Sequence, residues 1–148
     1  MIKAVKITTQ GEMTPFDLST NELEQLQAAV GGYIQAVNLS DDITLWCNEE
    51  GKIMNLPHNP IAQVLWDKFF GANTDLIVGD VVITGGADDE GKTVGLSSEN
   101  ELLLIVDIAM AAFKRIDALG DLEKISALLA DADAAVEAAQ RLAAARLN

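Results

Sequence analysis

Gly86-Ala-Asp-Asp-Glu-Gly91-Lys92-Thr93 satisfies the phosphate-loop spacing G-x-x-x-x-G-K-T letter for letter, and it follows a strand-like segment. Phosphate chemistry there would need backbone amides curled around the anion and a helix opening at the Lys-Thr pair, so that its N-terminus faces the charge. Asp88, Asp89 and Glu90 would instead put carboxylates into the cradle, and Val94-Gly95-Leu96 delays the next helix to Ser97 or Ser98. No second metal-binding aspartate stands on a following strand. The segment therefore reads as a solvated acidic turn, and nucleotide hydrolysis is not expected. Calcium suits it no better, because the run lacks ligands at alternate positions and a closing glutamate.

The other reactive side chains stand apart from one another. His58, the single histidine, lies among Pro57, Asn59 and Pro60 with no companion for general-base or metal work, so a surface or capping role suits it better. Cys47, the single cysteine, adjoins Trp46 in a strand-like run, where a buried inert thiol is the ordinary case and a nucleophile would need an activating base. One cysteine also excludes an internal disulfide framework and multi-cysteine metal sites, which fits a reducing cytoplasm. The pairs Asp41-Asp42, Glu49-Glu50 and Asp88-Asp89 fall on turns, where solvated charge is the rule. The sequence thus assigns no catalytic residue, no metal ligand and no cofactor. Trp66 and Phe69-Phe70 lie on a short amphipathic helix too narrow to bury all three, and an aromatic left outside would mark a binding surface.

A chain of 148 residues, 49% of them hydrophobic, can bury roughly 70% of the surface its unfolded form exposes, enough for a core without staples. Ten basic against twenty-three acidic side chains give a formal charge of −13, which repels a phosphate backbone. Direct nucleic-acid binding is therefore not expected, whereas imitation of nucleic acid stays open. The start, MIKAVKITTQGEM, is too polar for a secretory segment. Leu102 to Phe113 is interrupted by Asp107 and too short to span a bilayer, so no membrane association and a cytoplasmic location are expected.

The elements that must carry these residues follow from periodicity and punctuation. Ile2–Thr8 reads as a strand. Ser19 with Glu22 forms a capping box before Leu23, Leu26 and Val30, and Gly31-Gly32 ends that helix. Tyr33–Leu39, Ile43–Cys47 and Ile53–Leu56 read as a meander of strands joined by Ser40-Asp41-Asp42 and by Asn48-Glu49-Glu50-Gly51-Lys52. Asn59 caps a helix with Pro60 at its first position, aligns Ile61, Val64, Leu65 and Phe69, and stops at Gly71. Leu76–Thr84 is an inner strand, Gly85–Gly95 a loop or hairpin tip, and Ser98 with Glu101 caps a helix apolar around most of its circumference. Asp121–Leu147, set off by Gly120, is an alanine-rich helix, completing a helical hairpin that packs on the sheet, on a second copy of the chain, or on both.

Two turns echo each other at an offset of forty residues: Cys47-Asn-Glu-Glu-Gly-Lys-Ile-Met-Asn-Leu56 and Ala87-Asp-Asp-Glu-Gly-Lys-Thr-Val-Gly-Leu96. Duplication and independent acquisition of a cheap acidic turn both account for the echo. It makes Lys52 and Lys92 equivalent cations.

Gly31-Gly-Tyr-Ile-Gln, Asn48-Glu-Glu-Gly-Lys-Ile, Leu56-Pro-His-Asn and Asp80-Val-Val-Ile-Thr-Gly-Gly-Ala-Asp, in that order, resemble an uncharacterised domain family of bacteriophages and mobile elements over about residues 1–113. That family continues Leu-Pro-x-Asn with arginine where this chain has Pro60, so a role for that arginine does not carry over. The resemblance implies a phage-type accessory protein in a host bacterial cytoplasm and supplies no catalytic residues.

The expected architecture is α+β: a largely antiparallel sheet, helices covering one face, and a C-terminal helical hairpin, with a domain at 1–117 and a packing or oligomerisation element at 118–148. The expected function is binding to a host protein, a DNA-binding one among the targets, through Asp88, Asp89, Glu90, Trp66 and Phe70. A second reading is an oligomer that sequesters a nucleotide signal through Lys52 and Lys92. A third is a structural protein that self-assembles through its C-terminal helices.

Overall fold

Short runs of β-branched and apolar residues, punctuated by glycine, proline and Asx turns, build one sheet from strands far apart in the sequence. The computed structural model describes residues 1–118 together with Glu137, Gln140–Leu142, Ala144 and Ala145. Its elements run β1 (Val5–Ile7), β2 (Met13–Pro15), α1 (Glu22–Val30), β3 (Ile34–Ser40), β4 (Ile43–Asn48), α2 (Pro60–Phe70), β5 (Val81–Thr84) and α3 (Ser98–Ala118). The strands form a five-stranded sheet in the order β2-β1-β5-β4-β3, with every pairing antiparallel. The fold is α+β, and β5 holds the inner position that its apolar run predicts.

Alternation along the strands splits the core into two clusters. Val5, Ile7, Leu45, Val81 and Ile83 pack with Ile61 and Leu65 of α2 and Leu104 and Ile108 of α3. Ala4 and Val82 pack instead with Leu26 and Ala29 of α1, flanked by Trp46, Ile34 and Phe16. Helices therefore cover both faces of the sheet, where the sequence suggested one. A sheet whose central strand is apolar at Val81, Val82 and Ile83 alike needs cover on both sides, and that is the physical reason for the difference. Each fully buried side chain such as Leu45, Leu65 or Leu104 contributes roughly 2 kcal/mol of hydrophobic stabilisation.

Several local expectations give way to the observed hydrogen bonds. β1 is shorter than Ile2–Thr8, and beyond its ends the pairing continues through single contacts, an isolated bridge from Ile2 to Leu18 and the bonds Phe16 N–H to Ala4 O and Thr8 N–H to Glu12 O at 2.9 Å each. β2, with a proline in a three-residue edge strand, left no periodic signal. The box expected at Ser19 does not form: Asn21 is the N-cap residue of α1, and Gln25 Oε1 accepts from the Ser19 N–H at 2.8 Å. Leu23 is exposed, so the buried stripe of α1 is Leu26, Ala29 and Val30. Ile53–Leu56 is a chain of turns in place of a strand, because Met54 N–H bonds to Glu50 O, Leu56 N–H to Gly51 O, and Asn55 takes a left-handed φ of 56°. At α3 the cap is Ser97, whose Oγ accepts from Asn100 N–H at 3.1 Å, while Glu101 turns to Lys3 at 3.4 Å.

The predicted helix Asp121–Leu147, and with it most of the element expected at 118–148, falls largely outside the described residues. Of those described, Leu142 is fully buried in the main core cluster and Arg141 pairs with Glu12 at 3.3 Å, so these residues pack against their own chain.

Asn59 ties the layers together. Its Oδ1 accepts from Ala62 N–H at 3.1 Å, which caps α2. Its Nδ2 donates to Ile7 O on β1 at 3.1 Å and to Gly79 O at 2.9 Å. Its backbone N–H donates to Ile77 O at 2.9 Å, and the side chain is wholly removed from solvent. We expect Asn59→Ala to destabilise the fold by about 3 kcal/mol, the sum of a lost cap and two stranded buried carbonyls. Urea unfolding would check this as a lowered midpoint at unchanged slope.

Candidate functional site

β5, the strand that precedes the Gly86–Thr93 pattern, is followed by a hairpin, not by a helix. Asp88 Oδ1 accepts from the N–H groups of Glu90 and Lys92 at 2.9 Å each, Asp88 N–H donates to Lys92 O at 2.8 Å, and Gly91 N–H donates to Asp88 O at 2.9 Å. An isolated bridge joins Ala87 to Thr93, and Gly91 supplies the left-handed φ of 80° that reverses the chain. With the amides of this loop bonded to Asp88 and α3 starting only at Ser98, the segment does not have the form of a phosphate loop. Lys92 pairs with Glu90 at 3.7 Å at the exposed tip.

Antiparallel pairing then places this hairpin beside a second acidic turn. β5 ends where β4 begins, with Thr84 opposite Thr44, so the hairpin after β5 lies next to the Asp41-Asp42 turn between β3 and β4. The backbones meet closely: a Cβ on Gly86 would stand 2.0 Å from Asp41 O, which only glycine permits. Asp41, Asp42, Asp88, Asp89 and Glu90 are all exposed at this end of the sheet. Asp88 spends its carboxylate on organising the turn and Glu90 pairs with Lys92, while Asp41, Asp42 and Asp89 present charge outward beside them.

Trp66 sits elsewhere, in a cleft of about 150 Å³ at the far end of β4 that also includes Cys47, Lys52, Ile53, Asp75 and Leu76. Its Nε1–H donates to Thr74 Oγ1 at 2.8 Å, and Phe70 packs on it with ring centroids 4.5 Å apart. Phe70 is the exposed aromatic of the helix at 40%, and Ile53, at 87%, adds apolar surface at the same cleft. Lys52 is ion-paired to Asp75, and this hydrogen bond holds the Asp75 carboxyl below the usual carboxylate range. Burial pushes the Cys47 thiol up, and the Asp75 charge adds to the rise while Lys52 opposes it. Such a thiol is a poor nucleophile at neutral pH.

The sequence-predicted residues therefore separate into two places. Asp88, Asp89 and Glu90 form the acidic end, joined by Asp41 and Asp42, while Trp66 and Phe70 border the cleft with Lys52. Lys52 and Lys92 stand at opposite ends of the sheet, Lys52 paired with Asp75 of the loop after α2 and Lys92 with Glu90 of its own hairpin, so one chain does not offer them as a paired anion clamp. The echo between the two turns is structural at its start, since Asn48 Oδ1 accepts from Glu50 N–H at 2.8 Å as Asp88 does from Glu90. The turns then diverge, one continuing into further turns and the other into a hairpin. His58 Nε2 lies 3.1 Å from Gln63 Oε1. Among the described residues, no cluster of three or more His, Cys, Asp or Glu side chains is placed to hold a metal ion, and no helix is long and apolar enough to cross a membrane. Sequence reasoning missed Asp75 and the meeting of the acidic turns; Gly85-Gly86 directly after a strand was the available signal for a close backbone approach.

A family model described as a domain of unknown function, DUF3846, matches residues 2–109. No curated protein and no solved structure matches the chain.

Because the Cys47 thiol is raised, the protonated form is the one the fold favours. Its contribution to stability is complete below the ordinary thiol range and is lost as pH rises through the raised value. We expect iodoacetamide to alkylate native Cys47 about tenfold more slowly, or slower still, than the urea-unfolded chain at pH near 8. Mass spectrometry of timed aliquots checks this.

Proposed function

The chain belongs to the domain family DUF3846, and we propose that it works by binding, as a small acidic accessory protein of bacteriophage type. In this reading it acts in the cytoplasm of a bacterial host. Its acidic end docks on a basic surface of a host protein and alters that protein's activity. The observation that carries this reading is the rigid juxtaposition of the Asp41-Asp42 turn with the Asp88–Glu90 hairpin, locked by the close approach of Gly86 to Asp41 O. Carboxylates fixed on a preorganised frame need no ordering on binding, and their summed field steers a basic partner into register. A surface that binds nucleic-acid phosphates is one such partner, because exposed carboxylates at the tips of two hairpins present the charge it is built to meet. The −13 charge of the whole chain adds a field of the same sign.

The decisive variant neutralises Asp41→Asn, Asp42→Asn, Asp89→Asn and Glu90→Gln together and leaves Asp88 to hold its turn. Circular dichroism would show an unchanged fold. Affinity capture from a bacterial lysate at about 0.15 M salt, quantified by mass spectrometry, should show the basic partner's yield reduced about tenfold or more, and wild-type yield falling as salt is raised. Equal yields of the same proteins on both baits would refute the docking surface.

A further inference from the structure

The two edges of the sheet are built differently. β2 is three residues long and carries Pro15, so it offers little to a passing strand. β3 is seven residues long, and its sequence, Ile-Gln-Ala-Val-Asn-Leu-Ser, has neither a charge nor a proline. Asp, Glu, Lys, Arg and His are all absent from Gln25 to Ser40, although 22% of the chain is charged. The usual devices that protect an edge from another chain are thus missing along most of β3. The one present is a bulge between Asn38 and Ser40, which leaves Ile34–Asn38 as the regular stretch.

The register shows which backbone groups point outward. Glu49 N–H donates to Tyr33 O at 2.8 Å, and Ile34 is opposite Asn48, Gln35 opposite Cys47 and Ala36 opposite Trp46. Bonded and non-bonded pairs alternate in an antiparallel ladder, so Tyr33, Gln35 and Val37 turn their N–H and C=O groups to β4. The N–H and C=O groups of Ile34, Ala36 and Asn38 face away from the sheet. Among the described residues, none takes a backbone hydrogen bond there, and Ala36 and Asn38 are exposed.

We propose that this edge pairs with the same edge of a second copy of the chain, antiparallel and centred on Ala36, to make one continuous sheet across the dimer. In that register Ala36 meets Ala36 of the second copy and Ile34 meets its Asn38, so every outward donor finds an acceptor. The row is self-complementary, as a two-fold interface requires. That self-complementarity selects the occupant, and charge selects the direction. Two copies each carrying −13 repel over most of their surface and can approach along the uncharged β3 edge. Antiparallel pairing sets the Asp41-Asp42 turn of one copy beside the uncharged Gly31-Gly32 of the other, whereas parallel pairing would set the two acidic turns side by side. Tyr33, at 66% exposure, would gain cover across the junction.

Sedimentation equilibrium of the full chain, wild type against Ala36→Pro, tests the proposal. The Ala36 N–H faces outward, so proline there leaves the β4 ladder intact and removes the central bonds of the junction. The expected result is a wild-type dimer that tightens as salt screens the repulsion, and a folded Ala36→Pro chain whose dimer dissociation constant is raised about hundredfold. If circular dichroism shows that Ala36→Pro does not fold, Ala36→Glu decides, since it sets two carboxylates directly opposite each other. Hydrogen exchange gives an independent reading: the amides of Ile34, Ala36 and Asn38 should slow about tenfold as the wild-type protein becomes dimeric. A wild-type chain that is monomeric at every concentration overturns the proposal. So does a dimer that survives the substitution at Ala36, which would place self-association on another surface such as the C-terminal helices.

Discussion

A single buried carboxamide sets the geometry on which the rest of this molecule depends. Asn59 has no solvent exposure, and each of its polar groups is engaged: the backbone N–H with Ile77, the backbone oxygen with Gln63, Oδ1 with Ala62, and Nδ2 with Ile7 and Gly79. Burying a carboxamide without partners would cost several kcal/mol, so the site is stable only when β1, the segment entering β5 and the start of α2 are all in place. Gln63, one turn along, extends the network. Its Oε1 accepts from Ile77 N–H at 2.8 Å, and its Nε2 donates to Asp67 and to Asp75 O. Asp75 in turn pairs with Lys52 beside Cys47. The chain of contacts from core to cleft is therefore continuous, and the Leu56-Pro-His-Asn piece owes its asparagine to architecture.

The acidic end is held by different means. The buried Thr84 hydroxyl, which accepts from Trp46 Nε1–H at 2.8 Å and donates to Gly85 O at 2.9 Å, anchors its base, and backbone contact does the rest, with Gly85 and Gly86 passing so close to Gly95 and Asp41 that any side chain would collide. The consequence is a pair of short hairpin tips that are charged but stiff. Stiffness matters for recognition, because surface carboxylates on mobile loops would lose much of their attraction to the entropy of ordering them. The cleft around Trp66 has the opposite character, with an aromatic pair, a shielded thiol and an ion pair at its mouth. The two regions stand at opposite ends of β4, so neither shares residues with the other.

Much of the fold was legible because the signals were local. Asn59-Pro60 announced α2 with its cap, Gly31-Gly32 announced the end of α1, where Gly31 takes a left-handed φ of 78°, and Leu76–Thr84 announced an inner strand, of which only Val81–Thr84 pairs as β5. What escaped was decided by partners distant in sequence. Ile53-Met54 has the composition of a strand, yet the Asn48 side chain fixes the preceding turn and the following hydrogen bonds close on Glu50 and Gly51. Ser19 has the spacing of a cap, yet its N–H is taken by Gln25. The acidic residues were each visible, but their meeting needed the β4–β5 register, which periodicity does not contain. Likewise Trp66 and Asp88–Glu90, grouped as one surface on chemistry alone, belong to separate places. The coverage of both sheet faces was hidden in the same way, because a short apolar strand looks alike whether one or two faces are packed.

The central claim is that the acidic end is the working surface, and the most direct measurement is hydrogen–deuterium exchange on the complex formed with its captured host partner. The account predicts slowed exchange over the Ser40–Ile43 turn and the Gly86–Gly95 hairpin, with the Trp66 cleft unchanged. Protection confined to the cleft, or to the exposed Leu102, Leu103 and Val106 on α3, with the two acidic turns exchanging as in the free protein, would contradict it.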